Sequence, residues 1–252
     1  GIPIFQPLTL KKDDVAQWLS GEHLDLVIVA AYGKIIPERL LGIPRLGMIN
    51  VHGSLLPLLR GSSPIQSAIM QGFQETGISI QKVAAKMDEG DVFVQEVVPI
   101  APRETAETLH DKLSRTSETL LSRTLPNILS GTLQAKPQDH GQATVTKKLT
   151  REDGRITWTE SAKTLDSFIR GLTPWPGAWT ILDGKRLHIH EAVPEDLTAQ
   201  QTAGTFIIQK HKLTVACGAG VLRLLSVTLE GERLMSAEDF IHGHATLLAG
   251  LG

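Results

Sequence analysis

The sequence predicts an α/β protein: a sheet-and-helix half followed by a small all-β half. Three observations predict this. Residues 24–32 are a nearly continuous Val/Ile-rich apolar run, followed by alternating strand-like and helix-like patterns. Residues 132–150 are polar, contain Pro and Gly, and carry no sustained apolar period. Beyond them come short strands separated by turn dipeptides.

Taken in order, residues 24–32 (LDLVIVAAY) read as a strand buried on both faces of a parallel sheet. Residues 48–52 (MINVH) read as a second, shorter strand. In 63–72 (SPIQSAIMQG), proline stands just inside the start and glycine at the end, the asymmetry of a helix. Residues 76–85 and 92–100 are β-rich and joined by MDEGD, which predicts a hairpin. From Glu104 the period changes: Leu109, Leu113, Leu120, Leu121, Leu125 and Ile128 fall near helical spacing, with Gly131 placed as a C-cap. These patterns divide the chain into a first domain over 1–131, a linker over 132–150 and a second domain over 151–252.

The second domain opens with an amphipathic helix whose apolar face is Leu165, Phe168, Ile169 and Leu172. Asp183-Gly184 is a hairpin dipeptide, and VACGAGVLRLLSV reads as two strands around a glycine turn. Ser236, with Asp239 three residues on, resembles a capping box for a last short helix. A small β-barrel or sandwich is expected.

Composition bounds the function. The chain has 252 residues, 25 Lys plus Arg and 27 Asp plus Glu, so a net charge of −2 does not demand a polyanionic partner. The single cysteine, Cys217, excludes an internal disulfide framework and a Cys-cluster zinc site. No run approaches the roughly 20 apolar residues of a membrane span, and the first ten residues lack signal-peptide features. A cytoplasmic protein is expected, with no membrane and no metal.

The densest chemical signal is 49–66, INVHGSLLPLLRGSSPIQ. Asn50 and His52 are two apart on a strand and share a face at its carboxyl end, where ligands bind in α/β sheets. Two convergent donors there suit a developing oxyanion; an Asn in a turn beside a satisfied edge His is the equal alternative. Ser54 lacks the surroundings of a nucleophile elbow and suits a turn hydrogen bond. The apolar loop of Leu55, Leu56 and Pro57 suits either a pocket wall or core packing. Asp88-Glu89-Gly90-Asp91 reads first as an acidic turn with Gly90 at positive φ; its functional reading needs Asp88 to approach His52. His188 and His190 share a strand face but have no third metal ligand placed, and His242 and His244 read as surface residues. Trp175 and Trp179 read as packing against the barrel, and Gly218-Ala219-Gly220 reads as a turn.

INVHGSLLPLLRGSSPIQ, then ETGISIQ and MDEGD, resemble the formyltransferases that use 10-formyltetrahydrofolate, with their Asn-x-His pair, SLLP loop and D-x-G-D turn. RGSSPIQ, AYGKIIP, KLTREDGRITW and PWPGAW resemble the branch of that family acting on methionyl-tRNA. The resemblance runs from about Ile2 to the C-terminus. It implies a Rossmann-like catalytic domain, N-terminally incomplete by roughly 60 residues, and an OB-like β-barrel. The missing first strand of the family's sheet would leave residues 24–32 with an exposed edge.

What the resemblance implies for chemistry is formyl transfer from 10-formyltetrahydrofolate to the α-amine of initiator methionyl-tRNA, by a monomer. Asn50 and His52 would bind the formyl oxygen, and Asp88 would serve the proton path. Ser54, Leu55, Leu56 and Pro57, with Ala31, Tyr32 and Gly33, would flank the folate. Lys147, Lys148, Arg151 and Arg155 form a basic stretch that suits tRNA phosphates or, equally, a solvated linker end. The alternatives are a formyltransferase for an amino-sugar nucleotide and a non-catalytic relative of the fold.

Overall fold

A computed structural model describes residues 2–196 and 201–245. In chain order the elements are α1 (Asp13–Gly21), β1 (Val27–Ala30), α2 (Glu38–Leu41), β2 (Met48–His52), β3 (Arg60–Gly61), α3 (Pro64–Met70), β4 (Glu75–Lys82), β5 (Val92–Pro99) and α4 (Ala106–Leu129). There follow β6 (Val145–Thr146), α5 (Ala162–Leu172), β7 (Ala178–Leu182), β8 (Lys185–Glu195), β9 (Phe206–Gln209), β10 (Lys212–Ala216), β11 (Val221–Leu229), β12 (Met235–Ser236) and α6 (Ala237–Gly243). Two compact units emerge. The first holds residues 1–64, 75–99 and 111–147; the second holds 65–74, 100–110 and 148–252.

The first unit is built on a sheet of order β1-β2-β4-β5. It is mixed, whereas the sequence leads one to expect a parallel sheet: β1 runs parallel to β2, but β2, β4 and β5 pair antiparallel. The β4–β5 hairpin forms as expected, although β4 ends at Lys82, short of Ala85, and the register closes with Gln81 opposite Val92. β1 stands at the end of the strand order and its residues alternate between half-buried and exposed, with Ile28 42% exposed. A strand buried on both faces is therefore not what forms; an apolar run alone cannot tell a central strand from an edge one. Val15, Leu40 and Met48 make one buried cluster of this unit.

Residues 132–150, expected as a linker, are tied to the first unit as far as Lys147. Val92 bridges Lys136, and β6 pairs parallel with β3. Single hydrogen-bonded rungs of this kind leave no period in the sequence.

The second unit carries an antiparallel sheet of order β7-β8-β11-β10-β9, with β12 added on β11. Its core includes Leu165, Ile169, Leu187, Ile189, Leu213, Val215, Leu222, Leu224 and Phe240. α5 starts where the Ser161 hydroxyl accepts from the Thr164 amide at 3.1 Å, and α6 where Ser236 accepts from Asp239 at 3.0 Å; both are N-caps. The expected Asp183-Gly184 hairpin joins β7 to β8, with both residues at positive φ. Trp179 is buried, but Trp175 is 51% exposed: it lies on the proline-flanked segment before β7 and has no place on a sheet face.

Candidate active site

Asn50 and His52 enter the site from β2, whose antiparallel register sets Asn50 opposite Gln81 and His52 opposite Ser79. Alternation along the strand puts both side chains on one face. Asp88 arrives from the loop between β4 and β5, and the structure brings the three together. Asn50 Nδ2 donates to Asp88 Oδ1 at 3.3 Å, and His52 Nδ1 lies 3.7 Å from Asp88 Oδ2. His52 is buried and Asp88 nearly so.

The acidic turn is shaped differently from the sequence expectation. The positive φ falls on Asp88, at 56°, and not on Gly90. Asp tolerates this left-handed conformation better than most residues. Gly90 is required for a different reason: a Cβ there would stand 1.8 Å from the Lys82 carbonyl oxygen. The turn thus lies directly on the end of β4.

Every partner of the Asp88 carboxylate is a donor, which suits a group that accepts at both oxygens. Gln81 Nε2 donates to Oδ1 at 2.8 Å, and the Gly61 amide donates to Oδ2 at 2.8 Å. On the far side of the His52 ring, Nε2 lies 3.1 Å from the Leu59 carbonyl oxygen. A carbonyl can only accept, so the hydrogen bond assigns a proton to Nε2. Nδ1 faces Asp88 without a bond of ordinary length, leaving it available to a reacting group.

A second layer was not legible in the sequence. Gln138 Nε2 donates to the carbonyls of Asp88 at 2.8 Å and Gly90 at 2.7 Å. Its Oε1 accepts from Arg60 Nε at 3.1 Å and Nη2 at 2.7 Å. Arg60 is buried, and its Nη1 stands 3.5 Å from Glu89 Oε1. Arg60 belongs to the RGSSPIQ segment, but Gln138 sits in the stretch read as linker, where nothing marked it.

The loop after His52 is strapped to the sheet. The Ser54 hydroxyl donates to the Leu58 carbonyl at 2.6 Å, so it is used inside the turn. The Ser79 hydroxyl donates to the Ser54 carbonyl at 2.6 Å and accepts from the Leu56 amide at 3.0 Å. Gln95 Nε2 donates to the Leu56 carbonyl at 2.8 Å. Ser54 and Leu56 are buried, whereas Leu55 and Pro57 are partly exposed. After β1, Ala31 and Gly33 take positive φ and Tyr32 is exposed. Lys147, Lys148, Arg151 and Arg155 are all exposed.

Other candidate groups are accounted for. His190 Nε2 lies 2.9 Å from Thr228 Oγ1, and no cluster of three or more His, Cys, Asp or Glu side chains suited to a metal occurs among the described residues. Burial pushes the Cys217 thiol up to about 11, so it is not a ready nucleophile. No helix among the described residues is long and apolar enough to cross a membrane.

The sequence pattern of a family described as formyl transferase matches residues 3–125, and that of the formyl transferase C-terminal domain matches residues 148–245. The chain belongs to the formyl transferase family. Among curated relatives of this family, the methionyl-tRNA formyltransferase of Gluconobacter oxydans is 42% identical over 247 residues, covering 96% of this chain and 79% of that protein. The enzyme of the same name from Desulfotalea psychrophila is 38% identical over 244 residues, covering 96% and 76%. Solved structures of more distant formyltransferase-fold proteins share the architecture. HypX from Aquifex aeolicus, in complex with tetrahydrofolic acid, aligns with a TM-score of 0.67 at 17% identity, covering 90% of this chain and 39% of that one. An N-formyltransferase from Helicobacter canadensis, bound to folinic acid and dTDP-3-aminofucose, aligns at 0.61 with 15% identity, covering 76% and 69%.

Proposed function

We propose that this protein transfers a formyl group from 10-formyltetrahydrofolate to the α-amine of methionyl-initiator tRNA, a step of translation initiation in the cytoplasm. The observation that carries the reading is the likeness, over nearly the whole chain, to enzymes named methionyl-tRNA formyltransferase. The meeting of Asn50, His52 and Asp88 supplies a site suited to that chemistry. In this reading residues 1–131 form the catalytic domain, 132–150 the connection and 151–252 the second domain, in a chain acting as a monomer without a metal.

The chemistry asked of the residues is modest. A free α-amine titrates at about 7.7–8.0, so a neutral fraction exists near pH 7 without a strong base. Asn50 Nδ2 and, in the imidazolium form, His52 Nδ1 would donate to the formyl oxygen as it takes negative charge. Fixed donors lower that barrier because they need no reorganisation. The Asp88 carboxylate would accept the proton released by the attacking amine and pass it toward N10 of the departing folate, directly or through water. Ala31, Tyr32 and Gly33 after β1, and Ser54, Leu55, Leu56 and Pro57 in the strapped loop, would flank the folate. Ser54 and Leu56 would do so by fixing the shape of the loop, since the Ser54 hydroxyl and carbonyl and both main-chain groups of Leu56 are bonded internally and the Leu56 side chain is buried.

Purified protein supplied with the formyl donor and either charged initiator tRNA or an amino-sugar nucleotide tests the reading. Formylation of the tRNA is expected. Turnover confined to the amino-sugar nucleotide would transfer the assignment to the other branch of the family, and no turnover with either would favour a non-catalytic relative.

A further inference from the structure

Asp88 holds a left-handed backbone conformation in the loop between β4 and β5, yet its carboxylate must stay within tenths of an ångström of where it works. The side chains that touch the carboxylate, Asn50 and Gln81, constrain its oxygens but not its main chain. The main chain is held by Gln138. One amide nitrogen bonds two carbonyls, those of Asp88 and Gly90, and so clamps the turn across Glu89.

The orientation of that amide is itself determined. Gln138 Oε1 receives two N–H groups of the Arg60 guanidinium, so its NH2 must face the turn. Arg60 is buried, with Glu89 Oε1 at 3.5 Å and His140 Nδ1 at 3.0 Å completing its surroundings. A buried guanidinium with fixed partners is costly to move. Gln138 Nε2 also lies 3.3 Å from Gln81 Oε1, a longer contact that shares a proton already given to a turn carbonyl, and Gln81 Nε2 donates to Asp88 Oδ1.

We propose that Gln138, keyed by Arg60, is a positioning residue that fixes the Asp88 carboxylate beside His52. It acts through Asp88 and does not touch the reacting atoms. The kinetic consequence rests on the formyl-transfer reading above, but the geometric one does not, because the Gly61 amide reports directly on where Asp88 Oδ2 lies.

The test uses the full chain with Gln138→Met, which keeps the length and removes both donors, and Arg60→Lys, which keeps the buried charge and loses the paired N–H groups. Amide hydrogen exchange at Gly61 is expected to accelerate about tenfold or more in both variants, while the ladder amides of β4 exchange as in the unaltered protein. In turnover assays kcat falls about 10- to 100-fold, as for a catalytic group displaced by roughly 1 Å, and KM for both substrates stays within about twofold. Unchanged Gly61 exchange in a folded variant overturns the proposal. So does acceleration shared equally by the β4 amides, which is the signature of a merely stabilising residue. An unaltered protein that transfers no formyl group counts against the functional reading alone, because the exchange result still decides the positioning role.

Discussion

Gly61 and Asp88, 27 residues apart, are joined by a 2.8 Å hydrogen bond from the Gly61 amide to Asp88 Oδ2. Gly61 has a φ of 106°, and a Cβ there would stand 2.3 Å from the Thr146 carbonyl oxygen. Only a glycine lets β3 lie against β6 while turning its amide toward the carboxylate. The short β3–β6 pairing thus supplies a fixed donor to the acidic group of the site.

Asp88→Asn separates shape from charge. Asn accepts the left-handed backbone, but its NH2 must face a donor, Gly61 or Gln81, in place of an acceptor oxygen. A folded protein is expected, less stable by about 1–3 kcal/mol in urea titrations, with kcat reduced by about 10²-fold or more. Asn50→Ala in parallel lowers kcat by about 10²–10³ with little change in stability.

Gly90→Ala tests the seating of the turn. The added methyl meets the Lys82 carbonyl, which is backbone in a paired strand and cannot rotate aside. A loss of about 1–3 kcal/mol is expected from chemical denaturation. Turnover falls as well, because Asp88 lies two residues upstream.

The histidines of β8 give the second unit a pH dependence. Partial desolvation, then the Arg186 charge, holds His188 below its ordinary value of 6.5; partial desolvation, then His188, does the same to His190. At these two groups the folded state therefore binds fewer protons than the unfolded chain. Their contribution to stability is fully present well above pH 6.5 and is lost as the pH drops below it. Unfolding free energies measured between about pH 7 and pH 5 should slope downward, and His188→Gln with His190→Gln should flatten the slope.

The basic stretch makes an electrostatic prediction. If Lys147, Lys148, Arg151 and Arg155 meet tRNA phosphates, changing all four to Gln weakens binding at low salt. It also makes the dependence of log affinity on log salt shallower, by about 0.9 for each duplex phosphate no longer neutralised. Equal slopes for the two proteins would remove these residues from the interface.

The strand bearing Asn50 and His52, the β4–β5 hairpin and the cap at Ser236 were readable because each depends on residues near in sequence. The approach of Asp88 to His52 followed from the family resemblance, since no local pattern reports on a meeting of residues so far apart in the chain. Gln138 was unreadable for the same reason: a single polar side chain in an aperiodic stretch shows its partners only after folding. The sequence misassigned the positive φ of the acidic turn because glycine serves two purposes, freedom of backbone angle and absence of a Cβ, and Gly90 is used for the second.

Four consecutive residues of β4 each have a separate duty. Ser79 straps the apolar loop, Ile80 fills the core, Gln81 holds the carboxylate and Lys82 seats the acidic turn. Inserting or deleting one residue here would turn each duty toward the wrong side of the sheet at once. Length variation among natural descendants of this chain should therefore gather in its outer loops and spare positions 79 to 82, which behave as a ruler against which the rest of the site is measured.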